Sequence, residues 1–130
     1  MQSDTQSITV AVEPKVLFEF LADPMNLPRW AGGLCSSVSA EGSEWTAITE
    51  LGPVGLRCVK NAELGVIDYH ISPPLPIKIA VYSRVIANGN GAEYVFTQFR
   101  PAFLPVKIFA KQVESLKEGL QVLKRDMESQ

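Results

Sequence analysis

The stretch Tyr94-Val-Phe-Thr-Gln-Phe-Arg-Pro-Ala-Phe-Leu-Pro-Val-Lys-Ile-Phe-Ala-Lys-Gln-Val-Glu-Ser-Leu-Lys-Glu-Gly-Leu-Gln-Val-Leu-Lys-Arg-Asp-Met127 is where the chain changes its period. Up to Arg100 the side chains alternate in twos, as in a strand with one face buried. Beyond Pro105, Phe109, Val113, Leu116, Leu120, Leu123 and Met127 step by four and three residues, which makes one apolar helical face. The spacing predicts a helix over Pro105–Glu128, with Lys107, Lys111, Lys117, Glu118 and Lys124 mostly on its outer side. At 1.5 Å per residue it is roughly 36 Å long, enough to cross a small domain. Gly119 in its interior costs about 1 kcal/mol relative to Ala, which points to a close backbone approach or to space left open.

Working back towards the N-terminus, the period of two repeats. Ser36–Ala40, Glu44–Glu50, Gly55–Lys60, Gly65–Ser72, Lys78–Ala87 and Ala92–Arg100 read as six consecutive strands. The connections between them are short, so the strands pair antiparallel as a meander. Asn88-Gly-Asn-Gly91 is the strongest hairpin signal, because Asn and Gly tolerate positive φ. As a four-residue loop it sets Ala87 opposite Ala92, Val85 opposite Tyr94 and Ser83 opposite Phe96. Before the meander, Gln6–Val12 alternates as a further strand. Pro14 then suits the first turn of a helix carrying Val16, Leu17, Phe20 and Leu21 as its apolar stripe. A second short helix is expected over Met25–Trp30, broken by Gly32-Gly33.

Composition bounds the function classes. The chain has 130 residues, 46% of them hydrophobic and 20% charged, which fits one folded domain over residues 1–130. A net charge of −2, from 12 basic and 14 acidic residues, offers no basic face for nucleic acid. No apolar run is long enough to span a bilayer, and the N-terminus has no signal-peptide pattern. Cys35 and Cys58 are the only thiols and His70 the only histidine, so neither a disulfide scaffold nor a multi-His metal site is expected. The cytoplasm is the expected location.

These elements add up to an α+β fold: a curved antiparallel sheet of six or seven strands gripping a long C-terminal helix, with two short helices after the first strand. Sheet and helix diverge towards one end and leave an apolar cavity. Four stretches carry a resemblance to a known family. They are Ile8 to Trp30, with its Asp-Pro and terminal Trp; Asn61-Ala-Glu-Leu-Gly-Val-Ile-Asp-Tyr-His70; Ser83 to Arg100; and the helix ending Leu120-Gln-Val-Leu-Lys-Arg125. Together the chain resembles the START-related, polyketide cyclase/dehydrase-like (SRPBCC) superfamily of helix-grip proteins. The resemblance implies the same fold and a cavity for small molecules. Tyr69 stands where one subgroup usually shows His.

Strand parity sorts the candidate residues. In Gly65–Ser72, Ile67, Tyr69 and Ile71 share the inward face, while Val66, Asp68 and His70 point outward, Asp68 and His70 as a surface pair. Tyr69 is either a pocket residue or a structural tyrosine bonded to a backbone carbonyl. Arg84 is expected in a cross-strand ion pair with Glu93, and Arg57 as an outer-face charge. Trp30 closes the second helix and lines the cavity mouth or wall, whereas Trp45 fits core or wall equally. Cys35 has no basic or histidine partner near it, so an activated nucleophile is not expected, and Cys58 reads as packing. The expected lining is Trp30, Tyr69, Val81, Ser83, Tyr94, Phe96, Phe109 and Val113. Among the polar groups, Tyr69, Ser83, Tyr94 and Gln98 set orientation.

The preferred function is binding of a small apolar or aromatic molecule with no cofactor and no metal, by a monomer or a homodimer. The alternative is a cyclase- or dehydratase-type enzyme for a polyketide-like chain. Its proton-transfer candidates are Tyr69, Asp68 and His70, of which only Tyr69 faces inward.

Overall fold

Alternation of inward apolar and outward polar residues runs through seven strands in the computed structural model, which describes residues 1–130. The strands are β1 (Ser3–Val10), β2 (Ser37–Glu41), β3 (Glu44–Thr49), β4 (Gly52–Asn61), β5 (Val66–Ser72), β6 (Ile79–Asn88) and β7 (Gly91–Phe99). They form one antiparallel sheet in the order β1-β7-β6-β5-β4-β3-β2. Strands β2 to β7 are the expected meander, and β1 adds to its far edge by pairing with β7. The helices are α1 (Pro14–Leu21), α2 (Leu27–Trp30) and α3 (Val106–Glu128). The sheet curls and α3 lies against its concave face.

The hairpin register is the expected one, with Ala87 opposite Ala92, Val85 opposite Tyr94 and Ser83 opposite Phe96. Asn88 and Gly91 also pair, so the loop is two residues, and Gly89 alone takes positive φ. Most strand bounds fall within one residue of the expectation, and three elements differ by more. Strand β1 begins at Ser3 and ends at Val10, because Asp4 and Gln6 continue the inward face opposite Gln98 and Phe96. Strand β4 begins at Gly52 and takes in Pro53. The carbonyl of Ile48, opposite Pro53, points to the other side and accepts from the Ser36 N–H at 2.9 Å, so the missing proline donor breaks no bond to β3. The helix expected over Met25–Trp30 divides into a single 3-10 turn, Pro24–Asn26, capped by the Asp23 carboxylate, and the one-turn α2.

Helix α1 buries Leu17 and Leu21, but Val16 is exposed and Phe18 packs against the core in its place. In α3 the face Phe109, Leu116, Leu120, Leu123 and Met127 is buried, with Val113 half-buried. Of the two readings its position allowed, Gly119 is a close approach and not open space. A Cβ there would lie 2.5 Å from the Trp30 carbonyl oxygen, and one on Gly33 would lie 3.0 Å from Ser115 Oγ. Small residues at 115 and 119, one turn apart, let α3 sit directly on the end of α2. Its last turn is tied down by Lys124, whose Nζ donates to the Thr9 carbonyl and to Glu128, both at 2.8 Å. The Glu128 carboxylate also accepts the Ala11 N–H at 2.8 Å. No helix is long and apolar enough to cross a membrane.

Candidate functional site

The other end of α3 does not close on the sheet. Between its first turns, the concave face and the Pro101–Leu104 loop lies a cavity of about 150 Å³. Its wall is mostly apolar. Strands β3 and β4 contribute Ala47, Val54 and Leu56, β5 and β6 contribute Tyr69, Ile71, Ile79 and Val81, and β7 contributes Phe96 and Gln98. Leu27 and Trp30 of α2, with Ala31, Leu34 and Cys35 after it, form the opposite side, and α3 supplies Gln112 and Ser115. Exposed Glu50 and Phe103 mark the mouth. Arg100 holds the mouth loop, with Nε donating to Gln2 Oε1 and a guanidinium N–H to the Leu104 carbonyl, both at 3.0 Å.

Of the eight residues expected to line a cavity, Trp30, Tyr69, Val81 and Phe96 do, and Ser83, Tyr94, Phe109 and Val113 lie outside its wall. Trp30 is a wall residue. Its ring meets Tyr94 and Phe96 edge-on, with centroids 5.9 and 6.4 Å away. Tyr69 is both things its sequence allowed: it lines the cavity and its hydroxyl donates to the Leu21 carbonyl at 3.4 Å. Burial pushes its pKa well up, so the hydroxyl stays protonated. Ser83 donates to the Ile67 carbonyl behind the wall. Tyr94 is fully buried with its hydroxyl unpartnered, and burial likewise raises its pKa. Phe109 is buried, and the Val113 carbonyl accepts from Gln6.

The outward face of β5 is as expected, but its pairing is not. The one ion pair of the molecule is Lys124–Glu128. Asp68 and His70 form none. Arg84 and Glu93 form none either. The Arg84 Nε donates to the Leu64 carbonyl at 3.0 Å, and the Glu93 carboxylate is taken up by Thr9 and Asn88. Arg57 is an exposed outer-face charge, and Trp45 is half-buried core outside the cavity. Cys35 lies on the cavity wall, yet burial raises its pKa, as it does for Cys58, which makes both thiols poor nucleophiles. Nowhere do three His, Cys, Asp or Glu side chains gather in a way that could hold a metal ion.

The polar residues in or behind the wall that the sequence reading passed over include Thr49, Glu50, Asp4, Gln6, Gln112 and Ser115. Asp4 and Gln6 lay partly before the expected start of β1. Gln112 and Ser115 flank the apolar face of α3 beside Phe109 and Leu116, and that flanking position was the signal available.

Solved structures share this arrangement over nearly its whole length. Protein XoxI from Bacillus cereus is 17% identical, with a TM-score of 0.76 over 98% of this chain and 96% of its own. A START superfamily protein from Mycobacterium smegmatis is 12% identical, with a TM-score of 0.73 over 98% and 97%. The chain has a START-like fold. The Aha1 dimer from Colwellia psychrerythraea shares it at 14% identity, with a TM-score of 0.76 over 98% and 97%. No protein-family model matches the sequence, and no curated protein is significantly similar to it. In this START-like chain the cavity falls between the sheet and the N-terminal half of α3.

Proposed function

We propose that the protein binds a small apolar or aromatic molecule in this cavity, without a cofactor. The observation that carries the reading is the cavity itself, a mostly apolar space of about 150 Å³ beside a closely packed core. An engineered apolar cavity of about that size in another protein takes up benzene. The volume therefore favours one ring or a short branched chain. One chain supplies the entire wall, so the reading holds for a monomer and a homodimer alike. Two free thiols suit a reducing cytoplasm.

The cyclase or dehydratase alternative draws on the protonated Tyr69 hydroxyl in the wall, which fits a donor to a developing oxyanion better than a base. It is the weaker reading, because that hydroxyl is engaged by Leu21 and the volume is small for a polyketide-like chain. The test is toluene binding followed by calorimetry and by shifts of cavity-methyl NMR signals. Wild type should bind. Phe96→Arg, checked for folding by circular dichroism, should not, since it would bury a guanidinium in the wall. Unchanged binding in the folded variant would place the site elsewhere.

A further inference from the structure

We infer that the ligand carries a neutral hydrogen-bond donor, a hydroxyl on a single apolar ring, and that Gln98 receives it through Oε1. This inference rests on the proposed function, since the cavity must hold a ligand for its polarity to matter.

Gln98 is 6% exposed and lies on the inward face of β7, in the cavity wall. Directly opposite it on β1 stands Asp4. A carboxylate accepts hydrogen bonds and donates none at neutral pH. Asp4 therefore draws the NH₂ end of the Gln98 amide towards itself, Nε2 to Oδ2 at 3.3 Å, and turns the carbonyl end away. Asp4 is itself held. Gln6 Nε2 donates to the same Oδ2 at 2.8 Å and to the Val113 carbonyl of α3 at 3.0 Å, which fastens the carboxylate between sheet and helix. Nothing in the protein donates to Gln98 Oε1. An amide carbonyl that a ligand seals from water without offering it a donor is costly, and Gln98 lines the cavity from which a donor can reach it.

The sign of the ligand's charge follows from the same residues. An anion would meet Asp4 behind Gln98 and Glu50 at the mouth. A cation would lose its hydration against a mostly apolar wall. A neutral hydroxyl satisfies Oε1 at neither cost, and a volume of about 150 Å³ leaves room for one ring beneath it.

The experiment measures affinities of the full chain for phenol, its near-isostere toluene, and benzoate. In wild type the phenol-to-toluene affinity ratio should be about tenfold higher than in Gln98→Leu, the worth of one neutral hydrogen bond. Asp4→Asn frees the amide to turn over and should lower the ratio at least about threefold. It carries the test alone if Gln98→Leu does not fold. Benzoate should bind wild type at least about tenfold more weakly than phenol. If toluene binds and the ratio is the same in wild type and variants, the role of Gln98 is wrong while the apolar site stands. Benzoate binding as tightly as phenol would likewise overturn the inference. If neither toluene nor phenol binds, the proposed function and this inference fall together.

Discussion

The two halves of α3 meet the same sheet in different ways. Its C-terminal half buries Leu116, Gly119, Leu120, Leu123 and Met127, and the helix backbone comes close to the end of α2 at Gly119. Its N-terminal half turns Gln112 and Ser115 towards a hollow, and the Pro101–Leu104 loop stands between its start and the sheet. One sequence pattern runs through both halves. The difference lies in side-chain size and in what each half is tied to. Small residues draw one end in, and Lys124 and Glu128 fasten it to the start of the β1–α1 connection. Stability and the proposed binding thus fall to separate ends of one helix, and mutations should separate them too.

The sharpest test of that separation is Gly119→Ala. Its Cβ would fall 2.5 Å from a backbone oxygen, so α3 or α2 must shift. Overpacking of this kind costs about 1–3 kcal/mol, against a gain in helix propensity of about 1 kcal/mol. We expect a net loss of about 1 kcal/mol in urea denaturation. A gain in stability would mean that the packed end has slack and that the contrast is false.

A smaller effect is expected from Glu128→Gln, and it should depend on pH. Lys124 and the Ala11 N–H hold the Glu128 carboxyl below its usual range. A carboxyl lowered on folding stabilises the native state in full above its unfolded value, about 4.3, and ceases to do so as pH falls through the lowered folded value. Wild type should therefore be the more stable at neutral pH, and the gap should close in acid. A gap that stays constant down to pH 2 would mean that the clamp is not electrostatic.

The smallest effect on stability belongs to the hollow end. Phe103 is 40% exposed at the mouth, so Phe103→Ser should change stability by no more than about 0.5 kcal/mol. Toluene binding should nevertheless weaken severalfold. A large loss of stability there would erase the distinction between the two ends.

Much of this was legible in the sequence, and what was legible was local. The Asn-Gly-Asn-Gly turn and the alternation on either side of it sufficed for the β6–β7 register, because a slip of one residue would turn Tyr94 and Phe96 out to water. The interior Gly119 left contact and open space as alternatives, while the inward face of β5 and the buried face of α3 followed from spacing in the same way. The position of the hollow did not. Ser83, Tyr94 and Phe109 are buried as their parity and spacing implied, yet they belong to packed layers. Facing inward is a property of one strand, whereas facing a hollow depends on where sheet and helix part. That divergence is set by the pairing of β1 with β7 and by the loop held by Arg100, and neither has a local signature. The surface ion pairs failed for a related reason, since complementary charge is readable from sequence but the backbone carbonyl that Arg84 chose instead is not.

The pairing of β1 with β7 also orders events in time. Ser3 pairs with Phe99 and Val10 with Ala92. During synthesis at about 5–20 residues per second, β1 waits on the order of 10 s for the strand that completes its ladder. Until then the meander from β2 onward can form hairpin by hairpin, each step closing only a short loop. The β1 segment, with Ile8 and Val10 on one side, spends that interval as an unpaired edge able to join another chain. The last step closes the longest loop in the sheet, so it is the step at which a nascent chain is most open to capture by a chaperone or by its neighbours.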